Sequence, residues 1–203
     1  MIQGGMFMYR YITIEREYAS GGNEIGRRLA EELGYDFYDR NILTEAAKRL
    51  DIPAMYISQL EETKTDSFLF NLAQTALGGS GARDLPVAER LFLEEKAIIE
   101  EAAQKGNCII VGRCAGEILK EHDGCLKVFI YADYNKRIDR AIRIEHLTPG
   151  EAEETLKKFD KKRSSFYRAH SGLTWGSREN FDLLLNSSRL GIDTCIQMLK
   201  NLA

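Results

Sequence analysis

Apolar residues along this chain gather in short continuous runs, separated by longer stretches in which they recur at helical spacing. Tyr9–Glu15 (YRYITIE), rich in β-branched and aromatic residues, predicts a first strand. After the Gly21-Gly22 pair, Ile25, Leu29 and Leu33 mark one helical face, and Gly34 stops that helix. Asp36–Asp39 (DFYD) predicts a short second strand. Asn107–Gly112 (NCIIVG) and Cys125–Ala132 (CLKVFIYA) read as strands buried on both faces. Phe181–Asn186 (FDLLLN) is the last strand and Ile192–Leu202 a closing helix. Short buried strands alternating with helical patterns predict an α/β fold with a five-stranded parallel sheet flanked by helices.

Two stretches interrupt this alternation. Residues 41–106 are far too long for one crossover, keep helical periodicity and carry a Gly/Ser break at Gly78–Gly81, so they read as a helical insertion. Residues 133–168 are helical and basic. Ten Lys/Arg against seven acids give +3, in a chain whose formal charge is −3. The rest of the chain therefore carries −6, and positive charge is concentrated in one segment.

Composition narrows the class. At 203 residues, 44% hydrophobic and with 3 Pro, the chain can build a core and is not dominated by disorder. The slightly negative total gives no basic footprint for duplex DNA or an anionic membrane, and the basic segment is interleaved with acids, which argues against nucleic acid as a partner. No run approaches the roughly 18 apolar residues of a membrane span. Met1–Tyr9 lacks a basic region and makes a poor signal peptide. Cys108, Cys114, Cys125 and Cys195 have no metal-type spacing and read as reduced core residues of a cytoplasmic protein.

Chemistry is expected at the carboxyl ends of the strands. The turn Glu15–Asn23 joins a strand to a helix N-terminus, where unpaired amides and the helix dipole favour an anion; Gly21 and Gly22 let backbone approach it, and Ser20 or Asn23 could cap the helix or touch the ligand. An ordinary strand–helix turn would use the same glycines. One frame reads Gly21-x-x-x-x-Gly26-Arg27-Arg28, but its first glycine lies six residues beyond Glu15 and Ile25 is already helical, so the match to a GxxxxGK[ST] loop is a coincidence. Arg113, at a strand end, offers a planar fork for phosphate or an ion pair with a surface carboxylate. Asp39 and Arg40 could bind a sugar hydroxyl and a phosphate, or pair with each other. Arg137, Arg140 and Arg143, spaced by three, lie roughly along one helical face and could neutralise a transferring phosphoryl group or simply be solvated. His122, His146 and His170 suggest no triad, and Trp175 reads as a packing anchor or a base-stacking platform.

Taken in order, Ile12–Gly34, Tyr35–Arg40, Cys108–Cys114 (CIIVGRC) and Trp175–Gly191 resemble the cytidylate kinase-like family of P-loop proteins, from about residue 11 to the C-terminus. The resemblance implies a P-loop NTPase, nucleoside monophosphate kinase-like domain. The 41–106 insertion would lie at the monophosphate-binding position and 133–168 at the lid. It implies transfer of the ATP γ-phosphate to a small phosphorylated, cytidylate-like acceptor, with ATP and Mg²⁺ as cofactors. Gap-free matching puts Arg16 at the family's first loop glycine, Gly22 at the Walker lysine and Asn23 at the Walker hydroxyl. The implied sites are Arg16, Arg137, Arg140 and Arg163 for catalysis, and Ser20, Gly21, Gly22, Asn23 and Glu24 for the nucleotide. Asp39, Arg40 and Arg113 would bind the acceptor, and no protein metal ligand is implied. Arg113 matches the arginine of a Gly-Arg-Asp motif, with Cys114 in place of the Asp, and Arg40 replaces a small hydroxyl residue. A nucleotide binder without turnover, and a dimerisation module built on 41–106, are the alternatives; a homodimer stays open.

Overall fold

The structure, a computed structural model, describes residues 9–53 and 85–203. Among the described residues five strands are present: β1 (Tyr11–Arg16), β2 (Asp36–Tyr38), β3 (Cys108–Val111), β4 (Cys125–Tyr131) and β5 (Leu183–Asn186). They form one all-parallel sheet in the order β2-β3-β1-β4-β5. β1 is therefore central, with Ile14 opposite Val111 on one side and Val128 on the other. Every residue of β3 and all but Arg16 of β1 are buried, as continuous apolar runs require of strands covered on both faces.

Among the described residues the α-helices are α1 (Gly22–Leu33), α2 (Asn41–Arg49), α3 (Val87–Lys105), α4 (Ala115–Ile118), α5 (Tyr134–Glu145), α6 (Pro149–Ser171), α7 (Ser187–Leu190) and α8 (Ile192–Lys200). α1 starts three residues before Ile25, because its first turn, Gly22-Asn23-Glu24, carries no apolar marker. It ends on Gly34, whose φ of +69° lets its N–H reach back to Ala30 O. β3 is shorter than its apolar run predicts, since Asn107 (φ +51°) and Gly112 (φ +84°) are left-handed at both ends. β1 extends to Arg16 because Arg16 still pairs with Ile130.

The chain divides into two compact units, with boundaries at 39/40 and 102/103. In the sheet unit, Ile12 and Ile14 of β1, Ile25 and Leu29 of α1, Val128 and Ile130 of β4, and Cys195, Ile196 and Leu199 of α8 form one core. Each such aliphatic side chain contributes about 2 kcal/mol by leaving water. A second, smaller cluster joins Tyr18 to Ala141 of α5 and to Ala152 and Leu156 of α6. In the other unit, Arg49 of α2 donates both guanidinium ends to Glu101 at 2.8 and 2.7 Å. Of the predicted 41–106 insertion, the Gly78–Gly81 break lies outside the described residues.

The four cysteines are free thiols. Burial pushes Cys108 up to about 12 and Cys125 up to about 11, so both stay protonated near neutrality. Among the described residues, no helix is long and apolar enough to cross a membrane.

Candidate functional site

β1 is the central strand, so its carboxyl end is where an open parallel sheet forms its ligand crevice. The ladder runs one residue past the strand, with the Glu17 N–H donating to Ile130 O at 3.0 Å. The chain then turns through Ala19 (φ +57°) and Gly21 (φ +84°) into α1. The first half of this turn spends its polar groups internally. The Tyr18 N–H donates to Asp160 Oδ1 of α6 at 2.7 Å. Both the N–H and the hydroxyl of buried Ser20 donate to Glu17 O, at 3.3 and 2.9 Å. Ser187 locks the same residue from the far side, donating its hydroxyl to Ser20 O at 2.5 Å. Ser20 therefore acts as a brace. The second half is different: Gly21 supplies no side chain to cap the first amides of α1.

The expected arginine row divides by helical geometry. Each step of three residues turns the side chain by 300°, so successive positions drift by about 60° around the helix. Arg137 points inward, with 8% of its side chain exposed. It donates to Asp160 Oδ2 at 2.5 Å and to Tyr18 O at 3.3 Å, and its Nε lies 3.3 Å from Glu17 Oε2. Arg140 pairs with Glu24 of α1. Arg140 and Arg143 both line a cleft of about 330 Å³ with Lys136, Ser20, Ser187 and Ile192. Asp139 is the one acid in that lining, so the cleft is net positive and suits an anion.

Arg163 of α6 donates to Arg16 O at 3.0 Å and lies over the Tyr18 ring, 5.7 Å from its centroid. Phe159 stacks on that ring at 4.8 Å, and the Tyr18 hydroxyl meets Glu145. The 133–171 segment is thus bolted to the turn through Tyr18, Asp160 and Arg137. Burial, the largest influence, raises the Glu17 carboxyl above its ordinary range; Asp160 adds to the rise, while the Ala132 N–H and Arg137 oppose it.

On the β3 side, Gly112, Arg113 and Cys114 are three consecutive left-handed residues. Such strain persists only where the surroundings hold it. The Cys114 N–H donates to Glu15 Oε1 at 3.3 Å, and Trp175 Nε1 donates to Glu15 Oε2 at 3.3 Å. The Arg113 guanidinium lies over the Phe166 ring at 5.4 Å. Burial, and then Arg113, hold the His170 imidazole below its ordinary pKa. Near the head of α1, Asn23 Nδ2 donates to Asp39 Oδ2 at 2.9 Å. Arg40 opens the second unit and stands at the N-cap of α2. Gly26 sits inside α1, where a Cβ would come within 2.9 Å of Val111 Cγ2, and Arg27 pairs with Glu31 on the exposed face. The Gly21–Arg28 frame is therefore helix packing and surface pairing. Among the described residues, no three His, Cys, Asp or Glu side chains group to hold a metal.

Glu15, Glu17 and Tyr18 lie within the turn that the sequence singled out but were given no role there, and Asp160 counted only as one acid of the basic segment. An acid ending an apolar strand marks Glu15 as a group in need of partners. Asp160 has no such signal within its run of charged neighbours.

The sequence model of the cytidylate kinase-like family matches residues 11–189. The chain belongs to the cytidylate kinase-like family. A cytidylate kinase of Methanopyrus kandleri is 26% identical over 198 residues, covering 93% of this chain and 90% of that protein. A cytidylate kinase of Thermococcus sibiricus is 31% identical over 100 residues; the match takes in 49% of this chain and spans only 51% of that protein's length. Among solved structures, an uncharacterized protein from Eubacterium ventriosum superposes with a TM-score of 0.71 at 23% identity, covering 94% of this chain and 95% of the other. A gluconokinase from Sinorhizobium meliloti superposes at 0.53 with 15% identity, covering 96% of each. At these identities the structural likeness shows the fold, which is that of P-loop kinases.

Proposed function

We propose that the protein is a cytoplasmic phosphotransferase that moves the γ-phosphate of ATP to a small phosphorylated, nucleotide-like acceptor, a cytidylate-type monophosphate first among them. The observation that carries this reading is the cationic cleft. It gathers Lys136, Arg140 and Arg143 with Ser20 and Ser187, and Arg140 reaches the uncapped Gly21 at the head of α1. Phosphoryl transfer asks a protein mainly for positioning and for positive charge around the equatorial oxygens. Arg140 and Arg143 supply that charge to the donor phosphates, and the Gly21–Gly22 backbone lets those phosphates approach the α1 amides. Arg113 and Asp39 serve the acceptor. Mg²⁺, which would neutralise charge on the donor phosphates when bound, would be held mainly by those phosphates and water, since among the described residues no three His, Cys, Asp or Glu side chains group to hold a metal.

A second reading, a nucleotide binder without turnover, is favoured by the Tyr18 amide already held by Asp160 and by the absence of any side chain at position 22. A coupled assay of ADP release against a panel of nucleoside and sugar monophosphates separates the two. Acceptor-dependent ADP release above the ATP-only rate is the expected result. ATP binding with no acceptor raising that rate would leave the binder.

A further inference from the structure

We infer that Arg16 is the phosphate-contacting cation of this site, delivered from the last position of β1 because position 22 is closed to any side chain; the inference rests on the phosphotransferase reading above. Gly22 has helical dihedrals and no positive φ, so its backbone does not require glycine. What excludes other residues is Arg16. A Cβ built at position 22 would lie 2.5 Å from Arg16 Cβ, 3.0 Å from its Cγ and 3.3 Å from Ile130 Cβ. The stem of Arg16 thus fills the space into which a residue-22 side chain would project. The other end of the same side chain lies where Gly112 would carry its Cβ, which would collide with the Arg16 guanidinium. Two glycines from different elements clear the path of one arginine.

That path ends at the carboxyl edge of the sheet, between β1 and β3. Glu15 Oε2 stands 4.0 Å from Arg16 Nη1, and 17% of the Arg16 side chain is exposed. The same carboxylate holds the strained Gly112–Cys114 turn and Trp175, so Arg16 is aimed by fixed structure. On the other flank of the turn, Arg140 Cζ lies 3.7 Å from where a Cβ of Gly21 would stand. The Gly21–Gly22 corner is therefore bordered by Ile192 of α8 and Arg140 of α5 on the Gly21 side and by the stem of Arg16 on the Gly22 side. A polyphosphate running from this corner toward Gly112 meets the Arg140 guanidinium at one end and the Arg16 guanidinium at the other. In GxxxxGK[ST] loops the phosphate-reaching cation extends from the head of the helix. Here it extends from the strand, and the helix residue gives way.

The test uses inorganic tripolyphosphate as the probe, titrated calorimetrically into the full chain and its variants, with unfolding midpoints recorded alongside. The wild type binds, and Arg16→Met weakens binding at least tenfold (about 1.4 kcal/mol) and flattens its salt dependence. Gly22→Lys alone lowers the midpoint because the Arg16 stem blocks it. Arg16→Gly folds but does not bind, and the exchange Arg16→Gly with Gly22→Lys both folds and regains affinity to within about tenfold of wild type. Wild-type affinity in Arg16→Met would overturn the inference and leave the phosphotransferase reading standing. An exchange variant as unstable as Gly22→Lys alone would overturn its steric basis. A wild type that ignores tripolyphosphate at millimolar concentration would overturn the phosphotransferase reading itself.

Discussion

The two halves of the turn between β1 and α1 treat their backbone in opposite ways. From Glu17 to Ser20, amides, hydroxyl and carbonyls are bound by the protein's own groups: Asp160, Glu17 O, Ser187 and Arg137. From Gly21 to Gly22 there is neither a capping side chain nor a Cβ; Ile192 and the Arg140 guanidinium flank Gly21, and the Arg16 stem passes Gly22 on its way to Gly112. The first half is built like an interior and the second like a receptor. An anion site needs both, since amides can be aimed at a ligand only when the chain before them is immobile.

The largest expected effect falls on the rigid half. Arg137→Met removes the cation shared by Asp160, Glu17 and Tyr18 O, leaving two carboxylates in a half-buried pocket. Losing one partner of such a network costs about 3 kcal/mol, measured as a lowered urea midpoint with an unchanged slope. Arg140→Met acts on the receptor half. Its Glu24 partner is partly exposed, so stability should move by less than about 1 kcal/mol, while ATP affinity measured by calorimetry falls about tenfold. Equal losses of stability in the two variants would erase the distinction between the halves.

The smallest effect is a pH dependence. Burial raises the folded pKa of Glu17 above its unfolded value near 4.5. The protonated form is therefore favoured on folding, so this group's contribution is present below about pH 4.5 and is lost as pH rises through the raised folded value. Glu17→Gln cannot ionise, so its stability relative to wild type should improve as pH climbs from about 4 through that window and then level off. A difference flat with pH, from urea unfolding at matched ionic strength, would remove burial as the dominant influence on Glu17.

Much of the architecture was legible in the chain, because buried parallel strands have to be continuous apolar runs. β3 and β4 stand out for that reason, and α1 is marked by Ile25, Leu29 and Leu33. Strand ends were less legible: left-handed Asn107 and Gly112 trim β3, and dihedrals do not follow from hydropathy. The candidate site at the carboxyl end of β1 was suggested by the Gly21-Gly22 pair. Its wiring was not. Tyr18 and Asp160 are 142 residues apart, and a lone aspartate among lysines looks like any solvated acid. The arginine series looked like one face because spacing of three is close to a helical turn, yet the remaining drift sends Arg137 inward and leaves Arg140 on the cleft. The requirement for Gly22 was also hidden, since it comes from the Arg16 stem and not from the backbone dihedrals of Gly22.

The most direct test of this division is amide NMR of the protein during titration with ATP. The account predicts that the Gly21 and Gly22 amide signals shift progressively, while the Tyr18 and Ser20 amides, held by Asp160 and Glu17 O, stay close to their starting positions. Movement at Tyr18 and Ser20 with Gly21 and Gly22 unchanged would contradict it.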